Sequence, residues 1–111
     1  MRWSVVGPGL ALGLGGLLLV RGSLGAQADL FEQRCATCHG KDGQAQTPAG
    51  KSMNVKPWKE DAALKKMSDT RIKETIRDGV KENGKLRMPP NKNLTDEQLD
   101  ELVKQVRSLT K

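Results

Sequence analysis

Five consecutive residues, Cys35-Ala36-Thr37-Cys38-His39, combine the residue types and the spacing of a c-type haem attachment motif. On one helical turn, two thiols three positions apart face the same side, where both can bind the vinyl groups on one edge of a porphyrin. The imidazole of His39 follows at once and is predicted to bind the iron as the proximal ligand. Both cysteines and the single histidine of the chain lie in this motif. The motif therefore predicts one covalently attached haem c.

Three other uses of this pattern have to be weighed. A thioredoxin-like redox pair shares the C-x-x-C spacing but follows a strand, whereas residues 29–34 before the motif have helical character. A structural zinc site needs four nitrogen or sulfur ligands, and Cys35, Cys38 and His39 supply three. A disulfide across two intervening residues would be strained and would constrain little of the chain. Haem attachment is the prediction, and a thiol–disulfide oxidoreductase without haem is the alternative.

The N-terminal segment has the three parts of a secretory signal peptide. Arg2 precedes an apolar, glycine- and leucine-rich run over residues 5–20, and small residues end at Ala26-Gln27-Ala28, which fits the A-x-A cleavage pattern. The run is shorter than the roughly 20 residues that a transmembrane helix needs. We predict export to the periplasm. Because Arg21 directly after the run is unusual in a signal peptide, an uncleaved membrane anchor is the alternative.

The predicted mature domain, residues 29–111 after a signal peptide at residues 1–28, is small and poor in aromatic residues. It contains one Phe, one Trp and no Tyr. A chain of this length can bury only a limited apolar core. A covalently attached haem would supply a large apolar body at its centre.

The predicted mature domain is also moderately basic. The 19 basic residues of the chain less Arg2 and Arg21 leave 17, against 13 acidic residues, so the net charge is +4 before haem propionates are counted. One interpretation is an ordinary solvated surface. The functional interpretation is a basic face that steers docking to an acidic redox partner. Nucleic-acid binding is disfavoured because acidic residues interleave the basic ones throughout.

The helical signals are spread along the whole predicted mature domain. Residues 29–40 are predicted to form the helix that carries the motif, and residues 62–67 a short helix. Ser68 and Gly79 are the predicted start and stop of a further helix. Thr95-Asp96-Glu97-Gln98 forms a capping box that opens a helix to about Leu109. Because no run of alternating strand residues is evident, the predicted fold is all-α.

Residues 43–66 are the least regular stretch, and a long loop in a small domain is usually functional. The backbone carbonyls of this loop, around Pro48, could accept a hydrogen bond from Nδ1 of His39 and so orient the ring. Trp58 is predicted either to pack over the porphyrin edge or to donate its indole N–H to a propionate. Pro48 and Trp58 are therefore the predicted haem surroundings.

The sixth iron ligand has to come from a residue other than histidine. The soft donors of the predicted mature domain are Met53, Met67 and Met88. Met88 is favoured because Pro89-Pro90 after it restricts the backbone of the loop that must hold the sulfur on the iron. Met53 stays open as a second candidate, and Met67 has the pattern of a core residue.

The predicted mature domain as a whole resembles the small mono-haem class I bacterial cytochromes c. The matching segments, in the order and separation typical of that family, are Leu30-Phe31, Cys35-Ala36-Thr37-Cys38-His39-Gly40, Met88-Pro89-Pro90, Leu94-Thr95-Asp96-Glu97-Gln98 and Val106-Arg107-Ser108-Leu109. The chain departs from the family at Lys104-Gln105, where an aromatic residue often packs on the first helix, so the packing around Phe31 is expected to be weaker.

The resemblance implies a class I cytochrome c fold, with three to four short helices around one covalent haem. It implies that His39 and Met88 are the axial ligands and that the Pro48 region supplies the carbonyl for His39. The expected function is periplasmic electron transfer between Fe(III) and Fe(II) states, without enzymatic activity and without a small-molecule substrate.

The expected partners are redox proteins that dock transiently with a monomeric carrier: a respiratory complex, a terminal oxidase or a periplasmic dehydrogenase. Two alternatives stay open from the residues alone. One is a ligand-binding or sensing haem protein, which would need an open or easily displaced sixth position. The other is the thiol–disulfide oxidoreductase without haem.

Overall fold

The structure, a computed structural model, describes residues 24–111 together with Gly7, Gly9, Gly13, Gly15 and Gly16. Side chains are described from Asp29 onward, apart from those glycines. The remaining residues of the predicted signal peptide lie outside the described residues, and so does most of the apolar run on which that prediction depends. No helix in the described part of the chain is both long enough and apolar enough to cross a membrane.

Most of residues 24–111 form short helices, and one small hairpin interrupts them. The six α-helices, one 3-10 helix and two strands are α1 (Leu24–Arg34), α2 (Ala36–His39), α3 (Pro48–Ser52), a 3-10 helix (Trp58–Glu60), α4 (Ala62–Lys66), α5 (Asp69–Asp78), β1 (Val80–Glu82), β2 (Lys85–Met88) and α6 (Asp96–Leu109). The predicted all-α fold is confirmed in part, because the described residues are mostly helical but include two strands. The number of helices is higher than the three to four predicted for the chain.

Helix α6 forms where its sequence signals place it. Thr95 is the N-cap: its hydroxyl accepts from the backbone N–H of Gln98 at 3.2 Å, and the Gln98 side chain accepts from the N–H of Thr95 at 2.9 Å. This is the predicted capping box. The apolar stripe of the helix is buried and consists of Leu99, Leu102, Val103 and Val106. Helix α6 therefore supplies the centre of the core.

Helix α5 packs on α6 and also has the predicted ends. The Ser68 hydroxyl caps it by accepting from the N–H of Arg71 at 3.1 Å. Gly79 ends it with a φ of +76°, a conformation that favours glycine. Ile72 and Ile76, one turn apart, are its buried residues.

The first predicted helix is divided into two segments. Helix α1 begins at Leu24, earlier than the predicted start of the mature domain, and α2 begins after a break at Cys35. Phe31 of α1 is only 1% exposed and meets the ring of Trp58 edge to face, with 6.0 Å between centroids. Phe31 is thus fully packed although α6 has Lys104-Gln105 where the family often has an aromatic residue.

The prediction that the chain has no strands is wrong for residues 80–88. Strands β1 and β2 pair antiparallel through a turn at Asn83-Gly84, where φ is +52° and +74°. Asn-Gly is the preferred pair for a two-residue hairpin turn with positive φ. The strands were missed because residues 81–87 are all exposed, so their sequence shows no alternation of apolar and polar residues.

Candidate functional site

The attachment motif forms a single tight turn on the wall of a cleft. The carbonyl of Cys35 accepts hydrogen bonds from the N–H groups of Cys38 and His39, at 3.3 and 2.9 Å. This turn places both thiols and the imidazole along the same cleft of about 360 Å³. A volume of this size is within the usual range for small-molecule and cofactor sites. The arrangement is the one expected if all three side chains bind one group.

The loop that follows the motif holds this turn in place. The hydroxyl of Thr47 donates to the carbonyl of Thr37 at 2.6 Å and accepts from the N–H of Gly50 at 2.9 Å. Gly50 lies so close that a Cβ added there would collide with the carbonyl oxygen of Cys38 and lie 2.7 Å from that of Ala45. The loop is therefore fitted closely against the backbone of the motif.

His39 is positioned on the cleft wall by Trp58. The two ring centroids are 4.7 Å apart and the rings are tilted by 30°. Burial lowers the pKa of His39, which favours the neutral imidazole, the form that binds metals. Nδ1 of His39 is buried and has no hydrogen-bond partner. The predicted hydrogen bond from Nδ1 to a carbonyl of the Pro48 region is therefore not formed in this structure.

The two predicted haem surroundings have different places. Trp58 is buried, lines the cleft, and its backbone N–H donates to the carbonyl of Gly43 at 2.9 Å. Pro48 is exposed at the first position of α3 and is not among the residues that line the cleft. The structure thus brings Trp58, and not Pro48, to the cleft.

Met88 reaches the site from the end of β2. It lines the main cleft and also an adjoining cavity of about 190 Å³, and both of these are lined by His39 as well. Met53 lines only the main cleft, and Met67 only the adjoining cavity. Met88 is therefore the one of the three methionines that shares both cavities with the histidine.

Comparison with known proteins identifies the kind of protein to which this site belongs. Residues 23–104 match the family model described as cytochrome c oxidase, cbb3-type, subunit III. The chain belongs to this family of c-type cytochromes. Its fold is also similar to that of the solved KustC0563 c-type cytochrome, with a TM-score of 0.61 and 34% sequence identity over 77% of this chain and 98% of that one. No curated protein matches the chain.

Membership of this family indicates which group the Cys35–His39 motif binds. Cytochromes c of this kind contain haem c and are electron carriers rather than enzymes. The cleft of this cytochrome fits such a group on three observations: two thiols on one turn, an imidazole with a buried unpartnered nitrogen, and a thioether that shares both cavities with the imidazole. This donor set matches the proximal and distal ligands of low-spin haem proteins.

The Cys35 thiol of this cytochrome differs from the reactive thiol of a redox-active pair. Burial raises the pKa of the Cys35 thiol to about 11, so this thiol stays protonated at neutral pH. Redox-active cysteines in C-x-x-C motifs have lowered pKa values instead. This difference weighs against the thiol–disulfide oxidoreductase that the motif alone left open.

Among the cleft-lining residues that were not predicted from the sequence, two lie next to Met88-Pro89-Pro90. Asn91 is buried after the two prolines; its side chain donates to the carbonyl of Ile76 at 2.9 Å, and its N–H to that of Arg77 at 3.0 Å. It thereby fastens the segment after Met88 to α5. Arg87 lines the cleft directly before Met88. Only the position of these residues next to Met88-Pro89-Pro90 could have pointed to them.

Proposed function

We propose that this cytochrome is a periplasmic electron carrier with one haem c, bound through thioether bonds to Cys35 and Cys38, with His39 and Met88 as the axial iron ligands. The observation that carries the proposal is the shared lining of the two cavities by His39 and Met88 beside both cysteines. The haem supplies reversible one-electron chemistry at iron. The chain tethers it, fills both axial positions and keeps water away from it.

Met88 is the proposed sixth ligand because its surroundings restrict it on both sides. Its carbonyl oxygen packs directly against Gly79, where no side chain would fit. Pro89-Pro90 limits the backbone that follows, and Asn91 is hydrogen-bonded to α5. Met53 is the half-buried C-cap of the five-residue helix α3. A thioether ligand favours reduced iron and raises the reduction potential.

The proposed periplasmic location depends on the signal peptide predicted at residues 1–28. If the signal is cleaved after Ala28, the mature domain begins at Asp29 within the observed helix α1. Mass determination of the protein from the periplasmic fraction tests this. A mass equal to residues 29–111 plus one haem is expected, and a full-length, membrane-associated protein would instead support the uncleaved anchor.

The proposed partners are redox proteins that dock transiently with a monomeric carrier. Support comes from the basic residues on the cleft wall, where Arg34, Lys56 and Arg87 accompany the acidic Asp61 and Glu82. Such a rim favours an acidic partner and fast association at low salt. A terminal oxidase is one candidate acceptor, which is supported by the description of the matching family. A respiratory complex and a periplasmic dehydrogenase are the other candidates.

The optical spectrum of the protein, matured in a host that attaches haem, tests the proposal. We expect a low-spin spectrum with the weak far-red band of iron–methionine ligation and no change on adding CO. Met88→Ala should keep the covalent haem, lose that band, lower the reduction potential and bind CO. Met53→Ala is the matched control, because Met53 lines the same cleft, and it should leave all four properties unchanged.

Other outcomes would contradict particular parts of the proposal. A wild-type protein that binds CO rapidly would point to ligand binding or sensing. Loss of the far-red band in Met53→Ala, and not in Met88→Ala, would show that Met53 rather than Met88 is the sixth ligand. A protein without haem, with two titratable thiols, would return Cys35 and Cys38 to thiol chemistry.

A further inference from the structure

Arg87 lies at an irregularity in the hairpin. Val80 pairs with Met88 and Lys81 with Leu86, so Arg87 has no partner in β1 and the pairing register shifts there. Such a bulge places one extra residue in a strand and is a common way to redirect a side chain next to a functional site. Here it allows Arg87 to lie on the wall of the cleft, directly before the proposed iron ligand.

The Arg87 guanidinium joins two segments that are far apart in the chain. Its Nη2 donates to the carbonyl oxygen of Met53 at 2.8 Å, a hydrogen bond between residues 34 positions apart. Within the described part of the chain, no other hydrogen bond or ion pair connects the segment 53–56 with the hairpin. The Met53 carbonyl belongs to the C-cap of α3, and helix C-termini leave carbonyl groups that need such donors.

A second contact orients the guanidinium. Its Nε lies 3.6 Å from the carboxylate of Glu82 across the hairpin, and the Arg87 side chain is 42% exposed. An exposed ion pair of this length contributes little by itself. Its effect is to hold the planar guanidinium in one orientation, so that less side-chain entropy is lost when the bond to Met53 forms.

We propose that Arg87 is a positioning residue. Its hydrogen bond to the Met53 carbonyl, called the clasp below, fastens the segment 53–56 to strand β2, which ends at Met88. The inference rests on the proposed function, because the cleft that it closes is the haem cleft. With the clasp in place, Met88 stays on the iron and external ligands are excluded. Without it, the segment 53–56 and the hairpin separate more often, and the sixth position becomes accessible for part of the time.

The test compares Arg87→Ala with Lys85→Ala in the haem-loaded protein. Lys85 is the matched control because it is exposed on the same strand, carries the same charge and does not line the cleft. Two measurements are made: the rate of imidazole binding to the ferric protein, and the amide hydrogen exchange of Asn54 and Val55. Both of these N–H groups belong to the segment 53–56 and donate to α3, at 3.2 Å to the Lys51 carbonyl and 2.9 Å to the Gly50 carbonyl.

In Arg87→Ala we expect both rates to rise about tenfold, because the variant loses one charge-assisted hydrogen bond at a partly exposed site. Lys85→Ala should change both rates less than about twofold, as is usual for a surface substitution. Arg87→Lys keeps the charge and one donor and should recover at least half of the effect. Equal rates in Arg87→Ala and Lys85→Ala would overturn the clasp, since both variants lose one positive charge.

The failure of the clasp and the failure of the proposed function can be told apart. If the wild-type protein lacks the iron–methionine band, the proposed ligation fails. If the wild type has the band and Arg87→Ala matches Lys85→Ala, only the clasp fails. A shift of the reduction potential in Arg87→Ala without faster imidazole binding or amide exchange would also overturn the clasp. Removing a positive charge near the haem is enough to explain such a shift.

Discussion

The two sides of the proposed haem cleft are built in different ways. The attachment motif is held by hydrogen bonds from the loop that directly follows it, such as that from Thr47 to Thr37. Met88 stands at the end of an exposed hairpin and is fixed through contacts with Gly79 and, via Asn91, with α5. The comparison teaches that the attachment side depends on the loop that directly follows it, whereas the methionine side also depends on α5 and, through Arg87, on a segment 34 positions away. We therefore expect the methionine side to be the adjustable part.

The largest expected effect comes from removing the attachment chemistry itself. In Cys35→Ala/Cys38→Ala no thioether bond can form, so the denatured polypeptide should have the mass of the bare chain. Met88→Ala is the control for this side of the comparison and should retain the full mass of one haem. Mass spectrometry after denaturation measures both. Covalent haem in the double variant would show that another residue forms the attachment.

Two glycines allow a close backbone contact on each side to be perturbed by one added methyl group. A Cβ at Gly50 would collide with the carbonyl of Cys38, and a Cβ at Gly79 with that of Met88. Gly50→Ala and Gly79→Ala should each lower the free energy of unfolding by about 1–3 kcal/mol, the usual cost of overpacking. Only Gly79→Ala should also weaken the far-red band, since only it displaces the ligand segment.

A control isolates the strain of the backbone at Gly79. Gly84 has a similar φ, +74°, with nothing within 4 Å of an added Cβ, so Gly84→Ala measures the cost of the positive φ alone. Denaturant unfolding and the optical spectrum are recorded for all three variants. A far-red band that is equally weak in Gly50→Ala and Gly79→Ala would remove the distinction between the two sides.

A smaller effect is expected when the support of the attachment turn is removed. Thr47→Val deletes the hydroxyl that caps α3 and bonds to the Thr37 carbonyl. We expect a loss of about 1 kcal/mol, typical of an N-cap, and hence a fall in melting temperature of about 4–8 °C for a domain of this size. Thr47→Ser keeps the hydroxyl and should lose much less. Thermal unfolding of the two variants side by side tests the assignment.

The smallest expected effect is a pH dependence on the methionine side. Hydrogen bonds from Arg77 and Lys92 hold the pKa of Asp78 well below its ordinary value. Because the folded-state pKa is lowered, this contribution to stability is complete above the unfolded-state pKa of about 3.9. It is lost as the pH falls further, toward the folded-state pKa. In Asp78→Asn, the free energy of unfolding should therefore fall less than in the wild type as the pH is lowered from neutral into the acid range. Unfolding curves recorded over this pH range measure the difference. The same loss of stability at low pH in Asp78→Asn and the wild type would contradict the assignment to Asp78.

The same division explains which features the sequence could predict. The motif and the ends of α5 and α6 depend on neighbouring residues, such as Ser68 before Asp69 or Thr95 and Gln98, so local patterns were sufficient. The hairpin is exposed on both faces and left only Asn83-Gly84 as a signal. The bond from Arg87 to Met53 joins segments 34 positions apart, and no local pattern reports such a contact.

The short span of the Thr47 hydrogen bonds also has a consequence for the order of assembly. The bond to Thr37 closes a loop of about ten residues, whereas the proposed ligation of one iron by His39 and Met88 would close one of 49 (88 − 39). Loop-closure entropy makes the second closure more costly by about 1.4 kcal/mol. A newly synthesised chain can therefore present a shaped turn to the maturation machinery before the rest of the domain has folded. On this view the thioether bonds form first, and methionine ligation is the last step of maturation.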